Sequence, residues 1–125
     1  NTDAHAKNYS LILPVGAAPR LAPIYDVSTV LSWPHVVKTY AQFIDGKQRR
    51  PETVSGRHWE AIARDIGYRP TDVKNRVQQI VDAMVANKVK VTAAVAELAG
   101  AAAGYVTQTA EAVENNALRI AGRLY

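Results

Sequence analysis

The chain has 125 residues, 48% of them hydrophobic, enough to bury one core without metal or disulfide support, and one domain over residues 1–125 is expected. It contains no cysteine, which excludes a disulfide framework, a thiolate metal site and a cysteine nucleophile, and fits a cytoplasmic protein. The net charge is +4, and residues 47–76 carry all of the excess: eight Lys or Arg stand there against four Asp or Glu, while the flanking segments balance. Such a patch attracts phosphates, nucleic acid or acidic protein surfaces, and a solvated helical face reads the same way.

In chain order, the first third reads as strand and loop. Tyr9, Leu11 and Leu13 alternate with Ser10 and Ile12, Val15-Gly16-Ala17 supplies a turn, and residues 20–24 run back, which predicts a hairpin. Pro23 places its strand at an edge or at its end, because proline cannot donate to a ladder. A second short hairpin is expected around Asp45-Gly46, between Phe43-Ile44 and Gln48-Arg49.

From residue 55 the pattern turns helical. Ser55 is a candidate N-cap for a helix with Trp59, Ile62, Ala63 and Ile66 on one face, closed by Gly67. Pro70-Thr71-Asp72 opens a longer helix whose stripe is Val73, Val77, Ile80, Val81, Met84, Val85 and Val89. An Ala/Gly-rich stretch over 93–104 suits close helix packing. In the last segment Val106, Ala110, Val113, Ala117, Ile120 and Leu124 recur at steps of four and three, the pattern of a core-facing helix. The fold class expected is therefore mainly α: a helical bundle over 55–125 preceded by a short N-terminal β-hairpin. No uninterrupted apolar run approaches the roughly 18 residues of a membrane span, so no membrane partner is expected.

The chemistry concentrates at the start. Asn1-Thr2-Asp3-Ala4-His5-Ala6-Lys7-Asn8 contains Asp and Asn at the D-x-x-x-x-N spacing of a protein-kinase catalytic loop. Phosphoryl transfer needs a carboxylate to accept the substrate proton and hard oxygen ligands to hold Mg²⁺. Asp3 and Asn8 supply one of each, and Asp26 follows the first hairpin where a second metal ligand is required. If the two strands pair, Asn8 and Asp26 flank the open end of the hairpin and must lie close together. Lys7 is a candidate for neutralising the transferred phosphate, and His5 for orienting the loop backbone or packing beneath it.

The stretch Asn1 to Ser10, followed by Leu21-Ala22-Pro23-Ile24-Tyr25-Asp26, resembles the catalytic-loop and metal-loop signature of HipA-type serine/threonine kinases. The similarity continues in Arg57-His58-Trp59 and in Glu114-Asn115-Asn116-Ala117-Leu118-Arg119. The resemblance implies the C-terminal lobe of a bacterial toxin kinase, with Asp3 as catalytic base, Asn8 and Asp26 as Mg²⁺ ligands, and ATP as cofactor. It also implies a protein substrate and a helix-turn-helix antitoxin partner that represses operator DNA. The Gly-rich phosphate loop and the strand lysine of such kinases are missing here; they belong upstream, and the absence of an initiator Met points to sequence preceding Asn1. The alternative is a helix-turn-helix DNA-binding module over residues 59–77, with Ala63, Gly67 and Val73 at the packing positions and the basic patch alongside.

Overall fold

The structure is a computed structural model and describes residues 5–125. It is mainly helical, with two small hairpins ahead of the helices. The first pairs β1 (Leu11–Ile12) with β2 (Arg20–Leu21), antiparallel, with Leu11 opposite Leu21 and Ile12 opposite Arg20. Expected strands of five residues shrink to two because Pro14, Pro19 and Pro23 bracket the pairing and remove its donors. One further bond, from the Ala22 amide to the Ser10 carbonyl at 2.8 Å, carries the pairing toward the open end.

The second hairpin joins β3 (Phe43–Ile44) to β4 (Lys47–Gln48). Asp45 and Gly46 both take positive φ, +54° and +68°, the conformation a two-residue turn requires if it is to match strand twist. The returning strand therefore begins at Lys47, one residue earlier than the sequence pattern places it. Arg49 secures the turn, donating from Nε to the Ile44 carbonyl and from Nη2 to Asp45.

Three helices follow: α1 (Gly56–Asp65), α2 (Pro70–Ala99) and α3 (Ala103–Ala121). Ser55 stands at the N-cap of α1, and the His58 ring supports it from inside the first turn: Nδ1 accepts from the Ser55 amide at 3.0 Å and lies 3.2 Å from the Ser55 hydroxyl. Gly67, at φ +73°, ends the segment as its position predicts. Pro70 and Asp72 open α2, where the Arg69–Asp72 pair closes at 2.7 Å.

At Gly100, with φ +54°, the chain reverses through a short 3-10 turn, and α3 packs back along α2. Lys88 and Glu114 tie the two helices at 2.5 Å. Taken as one run, Pro70–Ala121 is long and apolar enough by length and composition to cross a membrane, with a mean hydropathy of 1.3 over its best 18 residues. In the structure the run is a hairpin of two helices.

The core is centred where α1, α2 and α3 meet the chain end. Val54, Ala63, Val81, Ala117 and Leu124 are buried there. Leu124 lies past the end of α3, in a tail that turns back over the start of α1. The Gly56 amide donates to the Arg123 carbonyl at 2.6 Å, and a Cβ on Gly56 would run into the Leu124 carbonyl. Tyr125 continues the return, donating to Asn75 and covering Lys74. The expected helical stripes are covered only in part: Ile66 at the end of α1 and Val89 on α2 are exposed, and Ile80 and Met84, also exposed, line an open apolar groove that α2 forms with Val113 of α3.

Candidate metal and phosphoryl-transfer site

A single 3-10 turn, Ala6–Asn8, leads into β1 and is closed by the Asn8 amide donating to the His5 carbonyl at 3.0 Å. The turn sets Asn8 at the open end of the first hairpin, where the residue is 5% exposed. Across the hairpin, β2 delivers Asp26 to the same end. Asn8 Nδ2 donates to Asp26 Oδ2 at 2.5 Å, so the two residues meet as the antiparallel register requires.

Asp26 holds φ at +54°, a left-handed conformation that Asp tolerates better than most residues and that places its carboxylate beside Asn8. Tyr25, one residue before it, ties the two sides of the site together. Its hydroxyl donates to the Lys7 carbonyl at 3.0 Å and lies 2.8 Å from the Ser10 hydroxyl. The role of Tyr25 is not visible from spacing, since both of its partners lie across the hairpin. In the sequence its only signal is an aromatic hydroxyl directly ahead of the acidic residue.

Asp3 lies outside the described residues. Lys7 and His5 are exposed, and neither side chain forms a hydrogen bond or ion pair among the described residues. Their backbones, in contrast, are both held, at the carbonyls that anchor Asn8 and Tyr25.

Asn8 Oδ1 is buried and has no hydrogen-bond partner among the described residues. Such an orphaned carbonyl oxygen costs free energy unless a donor or a cation meets it. Beside a carboxylate it makes a hard-oxygen pair suited to Mg²⁺, which keeps several waters and takes few protein ligands. No cluster of three or more His, Asp or Glu side chains able to hold a metal occurs among the described residues, so the pair is a sparse site. It suits an ion completed by water and phosphate oxygens, and the residues present therefore fit the group.

The block Glu114 to Arg119 serves packing. Arg119 Nη2 donates to Asn116 Oδ1 at 2.6 Å, and Asn116 bonds the Tyr40 hydroxyl, whose pKa burial raises above the ordinary tyrosine value. The alternative DNA-reading corner is also partly consumed: Lys74 pairs with Glu60 at 2.6 Å and lies beneath Tyr125, drawing the Glu60 carboxyl below its usual range.

No curated protein and no solved structure matches the chain. The profile of the HipA-like C-terminal domain family matches residues 1–88, which takes in the first hairpin, Asn8, Asp26 and the α1–α2 corner and ends within α2. The Glu114–Arg119 block falls beyond the matched residues. With most of its length matched, and the Asn8–Asp26 pair inside the match, the chain belongs to the family of HipA-like C-terminal domains.

Proposed function

We propose that this chain is the metal-binding and substrate-facing lobe of a HipA-like protein serine/threonine kinase. The observation that supports it most is the buried, unpartnered Asn8 Oδ1 set against the Asp26 carboxylate. In this reading Asn8 and Asp26 hold Mg²⁺ and Asp3 accepts the proton of the substrate hydroxyl. When bound, the ion neutralises charge on the phosphates of ATP. Tyr25 keeps the two sides of the hairpin mouth at fixed separation through the Lys7 carbonyl, and the Lys7 ammonium is left to meet phosphate. The phosphate cradle for ATP comes from an upstream lobe, so residues 1–125 alone are inactive. The protein works in the bacterial cytoplasm, with a helix-turn-helix antitoxin that brings it to operator DNA.

The test uses the complete protein. Asp3→Asn removes the proton acceptor at nearly unchanged shape, so phosphoryl transfer falls on the order of 10²- to 10⁴-fold while Mg-ATP binding persists. Asp26→Asn removes the charged metal ligand, and the Mg²⁺ dependence of nucleotide binding weakens together with the rate. Near-normal activity of Asp3→Asn in a rate assay, or identical behaviour of the two variants in nucleotide titrations, sinks the proposal.

A further inference from the structure

A second polar site lies away from the hairpin mouth. Pro34, His35, Val36, Val37, Lys38, Arg50 and Glu52 line an open cleft of about 300 Å³ between the 34–38 loop and the segment leading into α1. Lys38 is half-buried and has no hydrogen bond or ion pair among the described residues. On its other side is a pocket of about 20 Å³, where Tyr40 and Asn116 already bond each other and the Thr29 hydroxyl accepts from the Leu31 amide. Lys38 also lines the larger cleft, where there is room for a ligand to meet it. A partly desolvated charge of this kind calls for a counter-charge.

The cleft supplies one carboxylate, that of Glu52. Glu52 Oε1 stands 4.0 Å from Arg50, while Arg123 donates to the Glu52 carbonyl at 2.6 Å and adds a cation at the edge. With Lys38 and Arg50 lining the cleft and Arg123 at the Glu52 backbone, the basic side chains outnumber the single carboxylate. Such an excess of positive charge suits an anion, and a phosphate monoester carries about −1.5 to −2 at neutral pH. The residue types fit as well, since Arg offers a planar fork and Lys a point charge.

We propose that this cleft is a binding site for a phosphate monoester, with Lys38 and Arg50 as its principal donors. It is separate from the Asn8–Asp26 pair and does not depend on the kinase reading.

The experiment follows amide NMR shifts of the full chain during titration, at constant ionic strength, with inorganic phosphate and with N-acetyl-phosphoserine amide. Saturable shifts centred on residues 35–38 and 50–52 are expected. Lys38→Met and Arg50→Met should each weaken binding roughly tenfold while the remaining spectrum stays native. Arg50 is largely exposed, so its variant keeps the test valid should Lys38→Met disturb the loop. Asp26→Asn should leave binding unchanged. Tighter binding of the phosphoserine amide assigns the cleft to a phosphorylated side chain, tighter binding of inorganic phosphate to a free phosphate, and both uphold the site. Shifts that fail to saturate, that sodium chloride reproduces, or that survive both Met substitutions overturn it.

Discussion

Charging His58 would add a second ring proton beside Arg49 and Arg57, in a place where the ring is only 1% exposed. Burial first, and those two guanidinium groups second, hold its pKa below the ordinary 6.5; Asp45 and the Ser55 backbone oppose the shift. The folded state therefore favours the neutral ring, which also keeps Nδ1 free to accept from Ser55. His58 contributes fully above pH 6.5, and stability falls as the pH drops below that value, because the unfolded chain then takes up protons that the folded chain refuses. Gln is favourable at this third helical position and does not titrate. In His58→Gln, urea midpoints measured between about pH 7.5 and 5 should vary less than in the native chain, whereas His58→Ala should lose about 1–2 kcal/mol at neutral pH with the cap. An equally steep loss on acidification in His58→Gln would remove His58 as its source. The burial of this ring is not visible in the sequence, where His58 stands as one histidine among three.

The first hairpin shows why some elements are legible and others are not. Its turn residues and alternation identify it, and pairing alone then forces Asn8 toward Asp26, so the meeting of these two side chains follows from the sequence. Strand length is less accessible, because three prolines cut the ladder to two residues on each side. The helices divide similarly. Helical period identifies α1, the long α2 and α3, and of the apolar positions of α3 up to Ile120 Ala117 is buried and the others are half-buried. Period alone cannot say whether another element exists to cover a stripe. On α2, Ile80, Met84 and Val89 remain in contact with solvent, Ile80 and Met84 at the open groove between α2 and α3. Gly100 marks the reversal through its positive φ, whereas in the sequence it is one small residue within an Ala/Gly-rich stretch.

At the scale of the molecule, the basic patch is smaller than its residue count. Arg49, Arg50, Arg69 and Lys74 are ion-paired within the fold, which leaves Lys47, Arg57, Arg64 and Arg76 as cations of residues 47–76 without a carboxylate partner among the described residues. Four phosphate contacts correspond to a slope of about −3.6 in log affinity against log salt. The chain should therefore hold duplex DNA weakly and without sequence preference, and lose it at physiological salt; fluorescence anisotropy across a salt series measures this. Sequence-selective retention at that salt would reinstate the helix-turn-helix reading of residues 59–77.

The tail that returns over α1 also bears on how long the folded state lasts. Arg123 reaches Glu52 across 71 positions of sequence, and Leu124, fully buried, seals the same junction. A contact that closes so long a loop forms after the helices have gathered, so it adds little to the barrier for folding and much to the barrier for unfolding. Leu124→Ala should cost about 2–3 kcal/mol. In stopped-flow measurements that cost should emerge as unfolding faster by roughly 10²-fold, with the refolding rate nearly unchanged. A refolding rate that drops by most of that factor would instead place the junction in the folding nucleus. The last turn of the chain then works as a latch, and it sets the lifetime of the fold more than the speed of its assembly.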